Sequence, residues 1–174
     1  MSFNVFITRQ IPDEGVALLR KCCQTVEINP HDRPLTYDEL LEKARGRDAL
    51  ITMLSDRIDD CLMHEIKSLK VVANYAVGYD NVDVKAATGR GIVVTNTPGV
   101  LTDSTADMAW ALLFSVSRRI VEGDRITRAG KFMGWAPLFL LGGDIVGKTL
   151  GIIGAGRIGT AMAMRSRGWC MKVL

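Results

Sequence analysis

Short apolar runs alternate with amphipathic stretches along the first part of the chain. NVFIT at 4–8 reads as a strand, and Asp13 to Cys22 as a helix carrying Val16 and Leu19 on one side. The alternation continues with a strand TVEI at 25–28, a helix from about Tyr37 to Ala44, a strand ALITML at 49–54 and a short helix around Asp60 to Ile66. KVVANY at 70–75 and GIVVTN at 91–96 supply two more strands, with a helical piece near Val82 to Thr88 between them. β-Branched runs separated by helices predict a parallel sheet covered on both faces, hence an α/β unit.

The TPG turn at Thr97 to Gly99 ends that pattern. The segment LTDSTADMAWALLFSVSRRIVEGDRITRAG then reads as one long helix, with Ser104 and Asp107 as a capping box. Ala106, Ala109, Trp110, Leu113, Val116 and Ile120 keep the spacing of a buried stripe. KFMGWAPLFLLGGD at 131–144 follows no regular period. Trp135 and Phe139 there read equally as interface anchors or as a local packing cluster.

After Lys148 the pattern becomes strand, tight turn and helix: TLGIIGAGRIGTAMAMRSRG, with Ile158, Ala161 and Met162 on one side of the helix. Gly154 suits the sharp turn, Gly156 lets backbone approach a pyrophosphate, and Gly159 permits close helix and sheet packing. The helix start adds amide donors and positive dipole character. No GK[ST] follows, which disfavours an ATPase-type loop. An acidic residue about twenty positions beyond the first glycine would mark NAD, and a basic one NADP. That count reaches Leu174, so NAD and NADP both stay open.

Charge and composition narrow the classes further. Lys and Arg total 22 against 19 Asp and Glu, and the net +3 is spread without a basic block, giving no reason to expect a nucleic-acid partner. No apolar run is long enough for a membrane span, and no secretory leader is recognisable, so a cytoplasmic location is expected. Cys22 and Cys23 are adjacent while Cys61 and Cys170 stand alone, a pattern for free thiols in a reducing compartment. His31 and His64 have no Cys/His cluster around them, so no metal site is expected. The length of 174 residues is generous for one domain and short for two, and the second strand has only begun at CMKVL. Truncation is the expectation.

Two long segments carry a resemblance. VANYAVGYDNVDVKAATGRGIVVTNTPGVLTDSTADMAWALL and VGKTLGIIGAGRIGTAMAMR together resemble the N-terminal half of the D-isomer-specific 2-hydroxyacid dehydrogenases, most closely their glyoxylate and hydroxypyruvate reductases. The resemblance implies a flavodoxin-like parallel-sheet substrate domain over about 1–97, followed from about 98 to 174 by an interdomain helix and an incomplete NAD(P)-binding Rossmann domain. It implies that the backbone amides of Val77 and Gly78 hold a substrate carboxylate, that Leu54 lies on the facing loop, and that Trp135 reaches a partner subunit's active-site mouth. Thr105, Arg157 and Ile158 match cofactor-side positions, beside Gly154, Gly156 and Gly159.

The implied reaction is NAD(P)H-dependent reduction of glyoxylate or hydroxypyruvate to glycolate or D-glycerate by a homodimeric full-length protein. The family's catalytic Arg, Glu and His fall beyond residue 174, so no catalytic residue is assigned, and the chain alone is expected to be inactive. The alternatives are another D-2-hydroxyacid dehydrogenase, acting on D-lactate, D-3-phosphoglycerate or formate, or a non-catalytic nucleotide-sensing interaction protein on the same fold.

Overall fold

The computed structural model describes residues 3–174. They form two compact units, one ending at Pro98 and the other running from Gly99 to Leu174. The first holds strands β1 (Asn4–Ile7), β2 (Thr25–Ile28), β3 (Ala49–Thr52), β4 (Val71–Asn74) and β5 (Val93–Thr95). Between them run helices α1 (Asp13–Cys22), α2 (Tyr37–Ala44), α3 (Asp60–Glu65) and α4 (Val84–Gly89). Every pairing is parallel and the order is β2-β1-β3-β4-β5, the flavodoxin-like doubly wound arrangement.

Alternation along β1 distributes the core. Phe6 points to the face where Leu50 and Val72 meet Leu40, Ala44, Leu62, Met63 and Ala87 of α2, α3 and α4. Val5 and Ile7 point to the other face, where Val16 and Leu19 of α1 pack with Ile28 and Ile51. Both faces of the sheet therefore carry a core, as expected, but unequally. Only α1 crosses to the second side, and Val93 on β5 stays 56% exposed.

Helix starts follow local chemistry. Glu39 N–H donates to Thr36 Oγ1 and Thr36 N–H to Glu39 Oε2, a closed capping box on α2. Asp59 caps α3 through Leu62 N–H and also accepts from Tyr37 Oη at 2.6 Å. Burial and that hydrogen bond push the Tyr37 phenol up to about 12. Asp83 caps α4 by accepting from Ala86 N–H.

The second unit holds α5 (Thr102–Ser117), α6 (Ile120–Arg128), β6 (Thr149–Leu150), α7 (Arg157–Ser166) and β7 (Lys172–Val173). β6 and β7 pair in parallel, Thr149 against Lys172, as the opening of a Rossmann-like sheet. Helices α5 and α7 are tied together: Arg165 reaches Asp107 at 2.6 Å and Asp103 at 3.0 Å, and Trp110 Nε1 donates to the Met162 carbonyl. Phe114 packs edge-on against Trp169 with centroids 4.8 Å apart.

Two expectations fail in α5. The single long helix breaks at Arg119, whose φ of 54° leaves helical space; the free Ser117 carbonyl there accepts from Gly143 N–H. No Ser104–Asp107 capping box forms either. The helix starts earlier, with Leu101 at the N-cap and no side-chain cap, Ser104 Oγ bonds the Leu101 carbonyl, and Asp107 is committed to Arg165. The predicted stripe is partial. Ala106 and Trp110 are buried, whereas Val116 and Ile120 are exposed. Among the described residues no helix is long and apolar enough to cross a membrane, and all four cysteines are free.

Candidate functional site

In doubly wound sheets the carboxyl ends of the strands open toward ligands, because successive crossovers leave the chain there through loops. Four of the predicted strands stop short at that end, releasing Thr8, Met53 and Leu54, Tyr75, and Asn96 into loops. Leu54 follows β3 and is exposed. Val77 and Gly78 follow β4; Val77 is 37% exposed and Gly78 half-buried. A Cβ built on Gly78 would meet Leu54 Cδ2 at 3.9 Å, so the two predicted loops stand side by side.

A buried polar network beneath these loops joins them. Asn81 Nδ2 donates to the carbonyls of Met53 at 3.1 Å and Asp56 at 2.9 Å. Ile58 and Val82 form a parallel bridge with Ile58 N–H on the Asn81 carbonyl. Asp56, 2% exposed, accepts from Met53 N–H at 2.8 Å and from the buried Thr8 hydroxyl at 2.5 Å. Asn74, also 2% exposed, accepts from Thr52 Oγ1 and donates to the Gly78 carbonyl at 2.8 Å and to Asn81 Oδ1 at 3.1 Å. The motif reading did not single out Thr8, Asp56, Asn74, Asn81 or Asn96. The available signal was a repeated pattern, VVAN and VVTN, in which a short amide side chain closes an apolar strand.

In the second unit the turn between β6 and α7 shows three glycines in three situations. Gly154 has φ of 95°, a conformation that L side chains rarely adopt. A Cβ on Gly159 would lie 2.2 Å from the Gly154 carbonyl oxygen, so the helix can approach the turn only without a side chain there. Gly156 is the N-cap of α7 and has nothing within 4 Å of a built Cβ; the space beside it is open. Arg157 and Ile158 open the helix, both exposed, and Arg157 forms no ion pair among the described residues. This turn therefore has the clearance and unpaired helix-start amides that a diphosphate needs.

Thr105 lies exposed in the first turns of α5. Trp135 is 85% exposed, whereas Phe139 pairs with Phe132 at 6.0 Å between centroids. Phe139 thus belongs to a local cluster and Trp135 stands outside it. His31 follows β2 with its N–H on Asn29 Oδ1, and His64 lies on α3 beside Arg90. Neither bonds the Val77–Gly78 loop. No group of three metal-ligating side chains occurs among the described residues.

A five-stranded flavodoxin-like unit followed by a strand, glycine turn and helix defines a class of two-domain α/β proteins whose second sheet is Rossmann-like. The chain belongs to the D-isomer specific 2-hydroxyacid dehydrogenase family: residues 5–166 match the model of its catalytic domain. It is 53% identical over 178 aligned positions to a glyoxylate reductase of Thermococcus gammatolerans, covering 100% of this chain and 53% of that protein. A glyoxylate reductase of Thermococcus kodakarensis is 52% identical, with 98% of this chain and 52% of the relative covered. Among solved structures, a Thermus thermophilus protein superposes with a TM-score of 0.91 at 46% identity, covering 98% of this chain and 54% of that one. A glyoxylate reductase from Paecilomyes thermophila gives 0.80 at 29% identity, covering 99% and 54%. The chain spans about half the length of these relatives.

Proposed function

We propose that this chain provides the substrate-binding unit and the opening of the nucleotide-binding unit of an NAD(P)H-dependent reductase of glyoxylate or hydroxypyruvate. The single observation that carries the reading is the Val77–Gly78 loop, with unpaired backbone amides beside Leu54 at the carboxyl end of the sheet. The relatives' name, glyoxylate reductase, supports the choice of substrate.

A small 2-oxo acid is recognised first by its carboxylate. Amide N–H groups fixed in a turn bind that anion without a charged side chain, and Gly78 leaves room for close approach. Leu54 excludes water from one side of the bound acid. The three glycines fit a dinucleotide: Gly154 makes the turn, Gly159 seats the helix, and open space at Gly156 leaves the diphosphate on the helix-start amides with Arg157 and Ile158 beside it. Thr105 is assigned to the same cofactor. Reduced nicotinamide, when bound, supplies the hydride for the carbonyl carbon. The proton for the carbonyl oxygen requires a donor, and the two histidines of this chain do not bond the loop, so no catalytic residue is assigned within it. The 174-residue chain by itself is therefore expected to show negligible turnover.

A homodimer is part of this reading. Met108, Leu112 and Val116 form an exposed apolar row on α5, 61%, 59% and 79% accessible. Trp135 is assigned to the partner's active-site mouth, where an exposed aromatic side chain suits substrate selection.

The test is turnover by the intact protein, followed by the absorbance of reduced nicotinamide, with glyoxylate, hydroxypyruvate and pyruvate in parallel and NADH compared with NADPH. Preference for the first two acids is expected. Bound nucleotide with no turnover of any acid would sink the reading.

A further inference from the structure

Three consecutive peptide planes in the loop after β4 are each held by their carbonyl oxygen. Thr97 N–H donates to the Ala76 carbonyl at 2.9 Å. Asn96 Nδ2 donates to the Val77 carbonyl at 2.8 Å. Asn74 Nδ2 donates to the Gly78 carbonyl at 2.8 Å. Asn74 is itself fixed, accepting from Thr52 Oγ1 at 3.0 Å and exchanging amide contacts with Asn81 at 3.1 and 3.3 Å. The N–H groups of Val77, Gly78 and Tyr79 donate to nothing among the described residues.

No peptide here is cis, so in each plane the N–H points opposite to the C=O. Holding the carbonyl of residue 76 therefore aims the N–H of Val77, and holding those of Val77 and Gly78 aims the N–H groups of Gly78 and Tyr79. Each donor faces away from the group that holds its carbonyl. Gly78 is free to adopt many conformations, and a loop containing it would otherwise sample peptide flips that turn a carbonyl, with its negative end, toward an incoming anion.

We infer that Asn96 and Asn74, supported by Asn81, are positioning residues that lock the Val77–Gly78–Tyr79 amides outward as a preorganised carboxylate site. This rests on the reading of that loop as the substrate site, and it adds the residues that make the loop competent. Their contribution is preorganisation: a donor set already aimed at the anion loses no ordering on binding. The two asparagines stand next to each other in register at the carboxyl end of the sheet: Asn74 is the last residue of β4, and Asn96 follows the last residue of β5.

The experiment uses the ¹⁵N-labelled chain, titrated with glyoxylate and followed by amide shifts, together with ¹⁵N relaxation of residues 76–79 without ligand. Asn96→Ala is the main variant because Asn96 is half-exposed and outside both core clusters; Asn96→Asp, of the same volume but without the donor, is the second. In the wild type, Val77 and Gly78 are expected to shift and to be as rigid as the strands. In both variants the loop gains motion while β1–β4 shifts stay unchanged, and in Asn96→Ala glyoxylate binds at least tenfold more weakly. Unchanged loop relaxation with affinity within twofold overturns the inference. If wild-type Val77 and Gly78 do not respond to glyoxylate, the substrate reading falls instead, and loop relaxation alone decides whether the asparagines lock it.

Discussion

Leu54 stands over Gly78 at a distance that leaves room for one methyl group: a Cβ on Gly78 would lie 3.9 Å from Leu54 Cδ2, an ordinary contact. Gly78 also has no positive φ. Neither packing nor backbone conformation inside the chain demands glycine there, so Gly78→Ala tests the proposed carboxylate site directly. Gly78→Ala is expected to keep the unfolding midpoint within about 0.5 kcal/mol of wild type, while glyoxylate binding, read by amide shifts of Val77, weakens severalfold. A destabilised variant with unchanged binding would reverse that assignment.

Thr8 and Asp56 make a fully buried polar contact under the loops. Asp56 Oδ1 is buried without a partner, so Oδ2, with its bonds from Thr8 and Met53 N–H, carries the satisfaction of the group. Thr8→Val keeps the shape and removes one donor from a buried carboxylate, an expected loss of roughly 1–3 kcal/mol in urea unfolding. Thr25→Val is the control. It removes an exposed hydroxyl bond to Asn4 Oδ1 and is expected to cost under about 0.5 kcal/mol.

Apolar periodicity made the first unit legible because β1 and β3 alternate between two cores and each helix offers one stripe, as Phe6 against Val5 and Ile7 illustrates. The bounds of α1, α2 and β2 were readable to the residue. α5 was less readable because its end is set by distant groups: the Ser117 carbonyl is taken by Gly143 N–H, and the left-handed Arg119 donates from its guanidinium to the Leu141 carbonyl. Local pattern contains neither partner. The loop residues were visible only through family resemblance, and the VVAN and VVTN repeat marks Asn74 and Asn96 without giving their role, since a strand-ending Asn has the same sequence signature whether it caps a turn or holds a carbonyl.

Glu39 gives the first unit an acid-sensitive joint. Its hydrogen bonds from Arg33 and the Thr36 backbone hold the carboxyl at about 2, below an ordinary value of 4.5. A depressed folded-state value means the carboxylate stabilises the fold fully above about 4.5 and loses that contribution as pH falls toward about 2. The stability difference between wild type and Glu39→Gln, from urea midpoints, should be constant near neutrality and shrink through this window. Because the pair is exposed, the difference should also shrink in high salt.

The glycines at 156 and 159 separate packing from ligand space within one turn. Gly159→Ala would place a methyl 2.2 Å from the Gly154 carbonyl oxygen and 3.1 Å from Ile152 Cγ2, forcing α7 away from the turn. The expected cost is about 1–3 kcal/mol. It is readable by fluorescence, since Trp110, Trp135 and Trp169 all lie in the unit from Gly99 onward. Gly156→Ala meets nothing within 4 Å, and φ of −72° suits any L residue, so stability should stay within about 0.5 kcal/mol. Its methyl would occupy the space assigned to the diphosphate. In the intact protein, NADH and NADPH affinity should therefore fall at least tenfold in Gly156→Ala with the unfolding midpoint unmoved. Wild-type dinucleotide affinity in that variant would place the diphosphate elsewhere and leave Gly156 as a turn residue only.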